Sequence, residues 1–201
     1  MVGGPLVNFY LELPLFGSPG FLQNAAPHAT QIALGAVLGV VIEATWLGIG
    51  ITALPFFYDR ARALTLWFVA LAVLVLAVAV AEATTVMSMI SVSEAYLKAS
   101  GGEREQLQAV RVIVASARNW THYLGRIADG AAIFVFYAVL YRLALVPRWL
   151  SGFGLVAAVL MITGLGVTLF GHDVFFPLLA PLGLAQLTLA VWLLAKGFRT
   201  A

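Results

Sequence analysis

Sixteen consecutive residues, LWFVALAVLVLAVAVA from Leu66 to Ala81, carry no charged, amide or hydroxyl side chain. A helix or strand built from them has no polar face to offer water, so it must lie in a large core or cross a bilayer. The rest of the chain decides between the two. Its 201 residues are 62% hydrophobic and 10% charged, where a soluble domain carries about 25% charged residues. A chain of this length cannot bury that much apolar surface in itself, and lipid is the solvent it implies. Period-2 alternation, the mark of a membrane barrel, is absent from such runs, so the spans are helical. The fold class is an all-α integral membrane helical bundle in a single domain, residues 1–201.

A hydrocarbon core takes about 20 apolar residues as helix. Five stretches qualify: Ala29 to Leu54, Leu64 to Ile90, Ile127 to Leu145, Leu150 to Phe170, and Val174 to Ala195. Pro55, Val146-Pro147 and Gly171-His172-Asp173 supply the breaks. Residues 1–28 hold Pro5, Pro14, Pro19, Pro27 and Glu12, too many interruptions for a span. They are expected as an outer interfacial segment or the remnant of a sixth helix. Residues 91–126 form a polar connection whose second half is an amphipathic helix running into the third span. In it Arg104, Arg111, Arg118, His122 and Arg126 recur at spacings of seven and four, with Leu107, Val110, Val114 and Ala117 turned towards another face.

Arg60, Arg62, Arg142, Arg148, Lys196 and Arg199 fall at one end of a five-span arrangement. The positive-inside rule makes that end cytoplasmic and puts the N-terminus outside an inner membrane. Arg148, Trp149, Trp192 and Lys196 are the expected interface anchors. With 11 basic against 9 acidic residues and no cysteine, the chain has no basic patch for nucleic acid, no disulfide and no thiolate metal site. Gly35 and Gly39 form a small-residue face that suits close helix packing, within the chain, with a second copy or in a larger membrane complex.

Ionisable groups at bilayer depth cost about 2.5–3.5 kcal/mol each on insertion scales, which makes them the best binding-site candidates. Glu43 and Glu82 lie within the first and second spans. Arg118, His122 and Arg126 are the cations nearest in predicted depth, with Glu82 expected to pair with Arg118 or Arg126, and Asp129 with Arg126 on its own helix. These six residues define a polar pocket for a small polar or anionic ligand or a proton, or a structural network between helices. His28, His122 and His172 share a predicted side and are the only set that could ligate a metal or haem, but none has a histidine at i+3 or i+4. No hydrolase, zinc-protease or nucleotide-binding motif occurs, so catalytic residues, cofactors and a resident metal are not expected.

The segments LALVPRWLSGFGLVAAVL and LGLAQLTLAVWLLAKGF, together with LGIGITALPFFYDRARALTLWF nearer the N-terminus, resemble the bacterial multi-pass family known as DUF4386. The resemblance covers roughly residues 20–198. It implies an integral membrane protein of unknown function, in a family that looks six-spanned. The family tends to carry a glutamate where this chain has Gln186. A non-catalytic scaffold or accessory subunit is the first functional expectation, and a small-ligand sensor or carrier the second.

Overall fold

A computed structural model describes residues 3–198, and every regular element among them is helical. Helix α1 (Gly3–Phe16) and the single turn α2 (Phe21–Asn24) precede α3 (Ala29–Lys98), α4 (Gly102–Arg142), α5 (Arg148–Gly166) and α6 (Ala180–Lys196). Short 3₁₀ turns, Val167–Phe170 and Phe176–Leu178, join α5 to α6. Four segments are long and apolar enough to cross a membrane. One of them, α3, has 70 residues, roughly 105 Å of helix against about 30 Å of hydrocarbon. Its dihedrals leave the helical region at Ala61 (φ −146°, ψ 47°), which divides it into arms 29–60 and 62–98 and brings the crossing segments to five.

The break falls six residues later than expected. Pro55 leaves the Ile51 carbonyl without its helical donor, yet α3 continues through it. Membrane helices tolerate such an interior proline. The last span also starts later, at Ala180, because Pro177 and Pro181 can occupy only the first turns of helices. Gly171 (φ 80°) and Gly197 (φ 67°) adopt the left-handed φ that ends the elements before them. Pro147 sits one residue ahead of α5, and Arg199 lies outside the described residues.

The chain forms two compact units, residues 3–44 with 77–122, and residues 45–76 with 123 onward. In the first, α1, α2, both arms of α3 and the start of α4 share a core that includes Leu15, Phe21, Ile32, Val86, Met89 and Ile90. In the second, Phe57, Phe68, Tyr137, Leu150, Ala157 and Leu182 lie in one core. Glycine permits the close approaches there: a methyl on Gly154 would enter the Tyr137 ring, and one on Gly130 would lie 2.7 Å from Ile162 Cγ1. Outside these cores large apolar side chains stay exposed, Val37 (61%), Val41 (53%), Val156 (58%) and Leu194 (90%) among them, the pattern of a surface that meets lipid rather than water.

Helix α4 corrects the expected amphipathic pattern. Leu107, Val114 and Ala115 pack against the core of the first unit, and Arg118 is only 7% exposed. Positions 107, 111, 114, 118 and 122 all fall within one side of a 3.6-residue helix, so the arginine stripe and the inward apolar residues are the same face. The opposite face bears Val112 (61% exposed), Ile113 (70%) and Leu124 (51%). Arg118 is thus carried inward beside Leu107 and Val114, while Arg104 and Arg111 stay exposed.

Candidate functional site

Helix α1 is held lengthwise along the first arm of α3 by glycine. A methyl on Gly4 would lie 3.0 Å from Ile42 Cδ1, one on Gly35 3.1 Å from both Glu12 Cγ and Leu11 Cβ, and one on Gly39 3.7 Å from Asn8 Oδ1. Ascending numbers on α1 meet descending numbers on α3, so the two are antiparallel, and the small-residue face at Gly35 and Gly39 is filled from within the chain. Pro14 has no N–H to offer the carbonyl of Tyr10. Gln31 Nε2 answers that carbonyl at 3.4 Å and the Leu11 carbonyl at 3.1 Å, which fixes the register. Below α1, the fully buried Ser93 hydroxyl donates to Leu22 O and accepts from Ala26 N, both at 2.9 Å, tying the α2 turn to the second arm.

That register delivers Glu12 to a buried charge cluster. Arg118 Nη2 lies 3.0 Å from Glu12 Oε2 and 3.2 Å from Glu82 Oε1, and His122 Nδ1 lies 2.8 Å from the same Glu82 oxygen. Asn8 Nδ2 reaches Glu12 Oε1 at 3.4 Å, and the Arg118 guanidinium sits 4.8 Å from the centroid of the Phe16 ring. The side chains of Arg118 and Glu12 are 8% and 6% exposed, so charge and ring close over the arginine. Gly35 lies six residues from the start of α3 and Glu82 eight from Ile90, or about 9 and 12 Å inside the spans at 1.5 Å per residue.

Two carboxylates share the one permanent cation of the cluster, Arg118, and repel each other across it. Glu12, on a helix that is not a span, already shows the strain: burial pushes its carboxyl above the usual 4.5, Arg118 opposes that rise, and Glu82 adds to it. Among the described residues no group of three or more His, Cys, Asp or Glu is placed to hold a metal.

Of the candidates read from the sequence, the structure brings Glu82, Arg118 and His122 together. Glu43 is buried on the first arm at 3% exposure. Arg126 Nη1 lies 3.5 Å from Asp129 Oδ2, the pair expected on one helix. His28 Nδ1 is 2.9 Å from Asn24 O, and His28 and His172 are both exposed. Arg148, Trp149 and Lys196 are exposed, with Arg148 5.7 Å from the Tyr141 ring centroid. Trp192 packs against the core of the second unit instead, its Nε1 buried without a hydrogen-bond partner. Sequence reasoning missed Glu12, Asn8 and Phe16. The signal was present: Asn8 and Glu12 are four apart, hence on one helical face, opposite a glycine pair that needs a close neighbour.

These features define a multi-pass, α-helical membrane protein with a buried ion cluster. The chain belongs to the family described as Domain of unknown function (DUF4386), which it matches over residues 1–197. The match takes in α1, ahead of where the sequence resemblance began. No curated protein and no solved structure matches the chain.

Proposed function

We propose that this protein is a non-catalytic, proton-responsive sensor of a bacterial inner membrane, in which α1 stays docked while the Glu12–Arg118–Glu82–His122 cluster holds a proton and is released when the proton leaves. The observation that carries this reading is one guanidinium shared by two carboxylates, 3.0 and 3.2 Å away, with an imidazole 2.8 Å from one of them. Burial already pushes the Glu12 carboxyl above its usual range, and a proton lost from the cluster leaves the two acids in excess of the one permanent cation. The acid that can move is Glu12, because α1 is not a span and is fastened only along one side. Arg60 and Arg62 at the break in α3, with Arg142 and Arg148 between α4 and α5, support a cytoplasmic C-terminus and an α1 docked from the outer side. A scaffold role drew its support from the small-residue faces, and Gly35, Gly39, Gly130 and Gly154 all meet neighbours inside the chain.

The test uses the absence of native cysteine. Spin labels at Val7→Cys and Leu97→Cys, both exposed positions at 52% and 47%, report the α1 to α3 distance by pulsed electron resonance in nanodiscs. One distance is expected at pH 5, with a second, longer population growing towards pH 9. Glu82→Gln leaves a neutral Glu12–Arg118 pair and should hold the single distance across the range. A wild-type distribution unchanged by pH, or a Glu82→Gln variant as responsive as wild type, overturns the reading.

A further inference from the structure

Above the charge cluster, the first unit contains a cavity of about 350 Å³ lined by Gly20, Gln23, Tyr96, Gln108 and Arg111, among others. Its size is that of a small-ligand site. The polar side chains are supplied by three separate segments: the α1–α2 turn, the end of the second arm of α3, and α4. Gly20 lines it with a φ of 114°, a conformation that suits glycine, and its α-carbon faces Arg111, whose Nη1 would stand in ordinary contact, 4.0 Å, with a methyl there. Arg104 stacks 5.0 Å from the Tyr96 ring centroid on the same side. Among the described residues Arg111 forms no ion pair, and the side chains of Gln23, Gln108 and Arg111 make no hydrogen bond within the chain. Their donors therefore converge on one cavity without being used by the fold.

Height along the helices says what reaches them. Taking the Glu82–Arg118 contact as the common level, Arg111 lies seven residues and Tyr96 fourteen residues beyond it, about 10 and 21 Å. The apolar run that holds Glu82 ends at Ile90, about 12 Å beyond it; with the hydrocarbon boundary at that level, the cavity occupies the zone from the boundary to about 9 Å outside it. That is the headgroup layer, about 5–8 Å thick on each face of a bilayer. A guanidinium with two carboxamides suits a tetrahedral oxyanion. We infer that this cavity binds the phosphate of a phosphoglyceride headgroup, with Arg111 as the charged ligand and Gln23 and Gln108 as neutral donors.

Native mass spectrometry of the detergent-purified full chain tests this. Phosphatidylglycerol is titrated in, with diacylglycerol as the control that lacks phosphate and glycerol 3-phosphate as the soluble arm. Wild type should retain phosphatidylglycerol and not diacylglycerol, and Arg111→Gln should weaken retention roughly tenfold, the loss of one charge-assisted contact. Arg111 is exposed, so the variant should keep the wild-type melting temperature; Gln108→Leu, which leaves the charge in place, should give a smaller loss. Glycerol 3-phosphate that fails to compete identifies the lipid as the source of the phosphate, and full displacement by it would reassign the site to a soluble phosphate and overturn the lipid assignment. Equal retention by wild type, Arg111→Gln and Gln108→Leu overturns the site altogether.

Discussion

Gly35→Leu isolates the contact on which the cluster depends. A Cβ at this position would already stand 3.1 Å from Glu12 Cγ and Leu11 Cβ, several tenths of an ångström inside an ordinary carbon contact of about 3.5–4.0 Å. Leucine adds three more carbons pointing at α1, which cannot be accommodated without moving that helix away. Overpacking of this kind costs about 1–3 kcal/mol, a rise of roughly 5- to 150-fold in the undocked population. Displacement also draws Glu12 Oε2 from its 3.0 Å contact with Arg118. The measurement is alkylation of a single cysteine at Leu15→Cys, at fixed pH in detergent. Leu15 is on α1, 5% exposed, and the chain has no other thiol. Labelling should be slow in the parent, faster with Gly35→Ala and faster still with Gly35→Leu. Equal rates in all three would mean that α1 is not seated on Gly35, and the account of the cluster would fall with it.

Arg118→Met leaves Glu12 and Glu82 facing each other in a buried site and should destabilise by about 3–5 kcal/mol, read as a fall in melting temperature that is smaller when Glu12→Gln is added. In the second unit Gly154→Ala drives a methyl into the Tyr137 ring and should cost about 1–3 kcal/mol or more, whereas Gly48→Ala, with nothing within 4 Å of the added methyl, should stabilise by up to about 1 kcal/mol through helix propensity; similar melting temperatures for the two variants would refute the packing assignment. Glu12 binds its proton more tightly folded than unfolded, because burial raises its pKa from 4.5. Its contribution is complete below that value and is lost as pH rises through the folded one. Glu12→Gln should accordingly flatten the decline in melting temperature above about pH 4.5, and an unchanged profile would show that another group governs it.

The spans were legible because lipid imposes one rule on every residue that meets it, and runs such as Leu66 to Ala81 obey it without reference to the rest of the chain. Helix ends were less so. Pro55 looked like a terminus, but a membrane helix can continue past a missing donor, and the break came among Asp59, Arg60 and Arg62 instead. The pairing of Glu82 with Arg118 was foreseeable from depth alone. Glu12 was not, because four prolines and a lone charge read as a segment too broken to insert. The structure answers two of these interruptions from elsewhere: Gln31 takes the Tyr10 carbonyl freed by Pro14, and Arg118 takes the charge of Glu12. Such compensations join residues 21 or 106 apart in sequence, beyond the reach of local periodicity. The inward turn of Arg118 beside Leu107 and Val114 was missed for a related reason: it is fixed by carboxylates on distant segments, which no hydropathy pattern states.

A buried ion cluster is a poor choice if its purpose is only to fasten α1. Each charge must be desolvated, and well-packed apolar groups of similar volume usually hold buried elements as well or better, by about 1–4 kcal/mol in cases of this type. The neighbours here, Leu15, Phe16, Val86 and Met89, could extend an apolar contact through the site without strain. Charges instead make the docking weaker and make it depend on protonation. The combined variant Glu12→Met, Arg118→Met, Glu82→Leu separates the two purposes. If the cluster is a switch, this protein should melt at or above the wild-type temperature, keep the single docked Val7–Leu97 label distance, and lose its pH dependence between 5 and 9. If it unfolds instead, or keeps the wild-type pH response, the charges are structural necessities or the response arises elsewhere, and the sensor reading is refuted.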